Sequence, residues 1–106
     1  MAVDFEAVTE LCRQYADDVR HAYPVDKAVL FGSYAKGTAD ERSDIDICFF
    51  LNNYGGKRRM DIMVELFGLT RRYKRVPFEP LVFETSELDN DNPFVKEILR
   101  TGKEIP

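Results

Sequence analysis

After the acidic pair in Asp44-Ile45-Asp46, every residue up to Leu51 is apolar or cysteine, and Asn52, Asn53, Gly55 and Gly56 close the run. So short an apolar segment bounded by turn formers reads as a strand covered on both faces, because a strand with one wet face alternates polar and apolar residues. The rest of the chain must supply those covers. From Asp4 to about Tyr23, apolar residues recur at Phe5, Val8, Cys12, Tyr15, Val19 and Ala22, the spacing of one buried helical stripe. Asp4 is suited to the N-cap and Pro24 ends the helix. A second helix is expected from Lys57 to about Tyr73, with Met60, Met63, Val64 and Phe67 forming its core face. A short last helix runs from about Pro93 to Gly102, docked by Phe94, Ile98 and Leu99.

Two further strands complete the pattern. Lys27 to Phe31 is short, mostly apolar and ends at Gly32. Pro77 to Phe83 carries Pro80, which cannot donate to a ladder and so belongs at a sheet edge or a bulge. The order is αβ(α)βαβα, an α/β (α+β) arrangement with a small mixed sheet of about three strands flanked by helices. With 106 residues, no linker-like tract and no internal repeat, the expectation is one domain over residues 1–106.

Composition narrows the function classes. Fifteen Lys and Arg against nineteen Asp and Glu leave a net charge of −4, which argues against a general grip on nucleic acid or an anionic membrane surface. No apolar stretch approaches the roughly 20 residues of a membrane-spanning helix. Cys12 and Cys48 sit in apolar runs without metal-ligand spacing, and no signal-peptide pattern opens the chain, so both thiols are expected reduced in a cytoplasmic protein.

One constellation carries chemistry: Gly32-Ser33, ten residues, then Asp44-Ile45-Asp46. Gly32 ends a strand, and Ser33 with Tyr34-Ala35-Lys36 can open a short helix whose free amides and hydroxyl suit a phosphate. Asp44 and Asp46 lie two apart, so on a strand both side chains leave one face with Cα atoms roughly 6.5 Å apart. Such carboxylates suit Mg²⁺, which completes its octahedron with water and nucleotide phosphates. Topology adds a constraint: the Gly32 turn and the Asp pair meet only if their strands run antiparallel. A helical return would then make the third strand parallel to the second and bring Glu79 beside the pair. Three carboxylates around two Mg²⁺ ions fit in-line attack on the α-phosphate of a nucleoside triphosphate. Lys36 and Arg42 flank the loop and can reach either the triphosphate or water. Arg71, Arg72, Lys74 and Arg75 complement a helix C-terminus, and Lys57, Arg58 and Arg59 are expected on a solvated face.

The stretch Val29-Leu30-Phe31-Gly32-Ser33-Tyr34-Ala35-Lys36-Gly37, through Ser43-Asp44-Ile45-Asp46-Ile47, resembles the signature of the minimal nucleotidyltransferases of the DNA polymerase beta superfamily. Asn92-Pro93-Phe94 through Glu104-Ile105 is similar to that family's C-terminal helix. The resemblance implies a nucleotidyltransferase fold, two Mg²⁺ ions and ATP as donor. It puts Gly32 and Ser33 on phosphate, Asp44 and Asp46 on metal, and the third carboxylate at Glu79, where relatives carry Asp. Similar stand-alone domains are antitoxins paired with an all-helical HEPN ribonuclease, some silencing it by transferring AMP to it. The resemblance thus implies a partner-protein acceptor, while the residues leave open whether the chain forms a homo- or hetero-oligomer. The alternatives are a non-catalytic module that occludes its partner and a small-molecule enzyme like the aminoglycoside nucleotidyltransferases.

Overall fold

A computed structural model describes residues 4–40 and 42–106. Helix α1 spans Phe5–Ala22; Asp4 caps it by accepting a hydrogen bond from the Ala7 amide, and Pro24 follows. Strand β1 is Val25–Phe31, the four-residue helix α2 is Ser33–Lys36, and β2 is Ile45–Leu51. Helix α3 (Arg59–Leu69) runs into a 3₁₀ turn at Thr70–Arg72, and β3 (Phe78–Glu84) into another at Thr85–Leu88. Helix α4 (Pro93–Thr101) and the two-residue strand β4 (Lys103–Glu104) complete the order.

The sheet order is β3-β2-β1-β4. The topology inferred from the motif is the one found: β1 and β2 are antiparallel, and β2 and β3 are parallel. Pro80 lies on the edge strand β3. The sheet has four strands rather than about three, because the chain turns back after α4 and pairs Lys103 and Glu104 with Leu30 and Val29. Gly102 makes that return possible: an added Cβ would lie 2.5 Å from both the Ile98 carbonyl oxygen and Val29 Cγ1.

Burial follows the strand pleat. Ile45, Ile47, Phe49 and Leu51 of β2 pack on one face with α1 and α3, and Cys48 and Phe50 pack on the other with Val95 and Ile98 of α4. β2 is thus covered on both sides, as its apolar run demanded. On the first face Tyr15 stacks on Phe78 at 4.6 Å and meets Phe49 edge-on at 5.7 Å, while its hydroxyl donates to the Leu66 carbonyl at 2.7 Å. That bond satisfies a polar atom that would be costly to bury alone.

Two helical faces differ from expectation. In α3 the buried residues are Ile62 and Leu66, whereas Met60 and Val64 are about two-thirds exposed and Phe67 is also exposed. The reading of Met60 and Met63 as a core pair is therefore corrected: Met63 is half-buried and Met60 faces outward. α3 is apolar on two sides, and Ile62 and Leu66 share the side that packs with Tyr15 and Phe49. In α4, Val95 and Ile98 dock the helix, while Phe94 and Leu99 are exposed.

Candidate functional site

Gly32 ends β1 with φ +74°, a conformation L side chains rarely adopt, and its backbone leads into α2. A Cβ built on it would lie 2.2 Å from Asp46 Oδ2, so the Asp46 carboxylate occupies the space a side chain would take. The cause is register. Phe31 is the cross-strand partner of Asp46, which puts Gly32 immediately beyond it at the same sheet end. Ser33 is half-buried and opens α2 directly after Gly32.

On the other side of β2, Glu79 is the parallel-strand partner of Asp46. Lateral partners point to the same face of a sheet, so these two carboxylates share the α4 side. Asp44 precedes the strand by one residue. Its approach is set by a turn in which the Asp40 amide donates to Ser43 Oγ (2.9 Å) and the Arg42 amide to Asp40 Oδ1 (2.8 Å). The Ile45 amide then anchors the chain to the Pro77 carbonyl at 2.8 Å.

Electrostatics tie the acids together. Asp46 is half-buried, and its pKa is raised chiefly by that burial, then by the negative charges of Asp44 and Glu79. Asp44 and Glu79 are exposed. Among the described residues no three His, Cys, Asp or Glu side chains converge closely enough to form a ready-made metal cluster. The expected acids thus share one end of the sheet without meeting at a point. Mutually repelling hard oxygens beside an open glycine backbone are nevertheless a donor set that a divalent cation fits and whose repulsion it relieves.

Lys36 closes α2, where its amide donates to the Gly32 carbonyl at 3.1 Å, and its side chain is exposed. Together with Gly32 it lines a cavity of about 260 Å³ whose opposite wall is α4, through Phe94 and Ile98. Sequence reading missed this wall. The available signal was that Phe94, Ile98 and Thr101 fall on one side of a helix, with Phe94 directly after the first-turn Pro93.

The basic clusters are mostly engaged within the fold. Lys57 pairs with Glu65 at 2.7 Å, Arg58 with Asp61 at 3.1 Å and Arg72 with Asp18 at 2.8 Å. Arg59 is exposed, as expected of a solvated face, and also donates from Nε to the Val82 carbonyl at 2.6 Å and lies over the Phe83 ring. A second cavity there, of about 340 Å³, adjoins the other end of β3, away from Asp46.

A family model described as a nucleotidyltransferase domain matches residues 12–101, a span that holds the Gly32 turn and all three acids. The chain belongs to the nucleotidyltransferase-domain family. This nucleotidyltransferase domain is similar to a Methanocaldococcus jannaschii protein named "Putative protein adenylyltransferase", at 43% identity over 49 residues. That match takes in 44% of this chain and 49% of the relative, so the chain spans about half the length of the curated relative it matches. Its fold is that of a crystal structure titled as a putative nucleotidyltransferase from Sulfolobus solfataricus, with a TM-score of 0.62 at 23% identity. The superposition covers 80% of this chain and 74% of that one.

Proposed function

We propose that this nucleotidyltransferase domain moves AMP from ATP to a hydroxyl of a partner protein, in a reaction that depends on Mg²⁺. The observation that carries the reading is the Asp46 carboxylate seated against the side-chain-free backbone of Gly32, with Asp44 and Glu79 near enough to raise its pKa. Gly32 and Ser33 bind the triphosphate, with Lys36 contributing charge at its edge. Asp44, Asp46 and Glu79 are the residues that would hold Mg²⁺. When bound, the ion neutralises the triphosphate and eases ionisation of the attacking hydroxyl.

In the transfer, the acceptor oxygen forms a bond to the α-phosphorus while the bond from that phosphorus to the bridging oxygen of the β-phosphate breaks. Pyrophosphate leaves with the electron pair. The hydroxyl proton passes to a carboxylate of the Asp44, Asp46 and Glu79 group. Geometry at the sheet end supplies the main catalytic advantage, since in-line phosphoryl transfer asks a protein chiefly for positioning and charge stabilisation.

A protein acceptor is supported by the name of the Methanocaldococcus jannaschii relative. The resemblance to stand-alone antitoxins makes an all-helical HEPN ribonuclease toxin our choice of partner. The test is transfer of label from α-labelled ATP to such a partner with Mg²⁺. Wild-type protein is expected to label it, and the Asp44→Asn, Asp46→Asn double variant to leave it unlabelled. Equal labelling by both would rule the mechanism out.

A second reading, neutralisation of the partner by occlusion without transfer, is favoured by the third carboxylate, a Glu at position 79 where relatives carry Asp. Neutralisation in a growth assay by the double Asn variant would select it.

A further inference from the structure

We infer that the cleft between the end of β1 and helix α4 is the subsite that stacks the nucleobase of the triphosphate, with Phe94 as its platform. This deepens the nucleotidyltransferase reading above and rests on it. The cleft has a volume of about 260 Å³, enough for one heteroaromatic ring system, and Phe31, Gly32, Lys36, Phe94, Glu97, Ile98 and Thr101 line it.

Continuity with the reacting centre selects the occupant. Gly32 belongs both to the cleft and to the contact with Asp46, and Phe31 is the cross-strand partner of Asp46. A ligand whose phosphates lie at Gly32 therefore has its remaining half beside this cleft. Chemistry agrees with position. Phe94 is 54% exposed, although it meets Phe31 edge-on at 6.4 Å and Phe83 at 6.2 Å. Those neighbours hold the ring in place, and its exposure leaves a flat apolar surface in water. The cleft also carries a cation, Lys36, and a carboxylate, Glu97, which pairs with Arg100 at 2.8 Å. Aromatic stacking accepts the π-face of any base, so this subsite supplies affinity and orientation more than base choice.

The chain contains no tryptophan, which makes the test direct. The Phe94→Trp variant carries a single indole at the platform. Its fluorescence is followed while ATP or inorganic tripolyphosphate is added in the presence of Mg²⁺. Stacking predicts that ATP quenches the indole and that tripolyphosphate, which has no base, leaves it unchanged. In parallel, Phe94→Ala is expected to weaken ATP binding by about 10-fold or more, the scale of one lost stacked base, while tripolyphosphate binds as it does to wild type. Unfolding curves for both variants check that the fold is kept. Equal responses to the two ligands in Phe94→Trp, or equal losses in Phe94→Ala, would overturn the base subsite and leave the transferase reading standing. Failure of wild-type protein to bind either ligand would overturn both.

Discussion

Gly32 meets two demands with one missing side chain: a φ of +74°, and room for Asp46 Oδ2 where a Cβ would otherwise stand at 2.2 Å. Gly32→Ala must therefore strain the turn and displace the carboxylate together. Urea unfolding is expected to show a loss of about 1–3 kcal/mol, the usual cost of a non-glycine residue held in such a conformation. Nucleotidyl transfer is expected to fall about 100-fold, since displacement of a reacting group by an ångström costs that order. Unaltered transfer would mean that Asp46 does not act from this position. The two thiols give a pH prediction. Burial pushes Cys12 and Cys48 up to about 12, and both are free. In the unfolded chain a thiol ionises near its ordinary value of about 8.5. Because the folded values are the higher ones, the stabilisation from keeping these groups neutral is complete below that pH. It is lost progressively as the pH rises toward about 12. Ellman's reagent at pH 8 is expected to leave both thiols unmodified in the native protein and to modify both in urea; rapid native modification would contradict their burial.

At the scale of elements, the informative contrast lies within α3. Leu66 is fully buried and its carbonyl accepts the Tyr15 hydroxyl, whereas Met60 is 65% exposed. Leu66→Ala is expected to cost about 2–5 kcal/mol in denaturant unfolding and Met60→Ala no more than about 0.5 kcal/mol. Reversed magnitudes would mean that α3 is rotated about its axis. This helix also shows where sequence reading reached its limit. Periodicity finds a helix, but α3 has apolar residues at Met60, Val64 and Phe67 as well as at Ile62 and Leu66, and only packing against the sheet chooses between the sides. The same ambiguity separated Val95 from Phe94 in α4. By contrast, the limits of α1 were legible, since Asp4 and Pro24 bracket it, although Phe5 and Ala22 at the two ends of the expected stripe are exposed. β2 was legible because an apolar run closed by Asn and Gly permits few other structures. β4 was not, because two residues carry no period and pair only after α4 has returned the chain to β1.

Across the whole molecule, function depends on connectivity more than on any single element. An antiparallel β1–β2 pair and a parallel β2–β3 pair bring Gly32, Asp46 and Glu79 from distant parts of the sequence to one end of the sheet. That juxtaposition could be read from the motif together with element order, because the Gly32 turn and the Asp pair meet only if β1 and β2 are antiparallel, and the helical crossover through α3 then makes β3 parallel to β2. The final approach of the carboxylates could not, because side-chain angles at exposed positions answer to the charge placed among them and not to the backbone. The wall formed by α4 was equally hidden, since its distance from β1 is set by packing of Val95 and Ile98 beneath it. Whether metal and triphosphate share this end of the sheet is tested by a crystal structure of the complex with Mn²⁺ and a non-transferable ATP analogue, with manganese located by its anomalous signal. Manganese is expected on both Asp44 and Asp46, with the triphosphate against Gly32 and Ser33. A nucleotide held elsewhere, or a metal touching neither aspartate, would contradict that expectation.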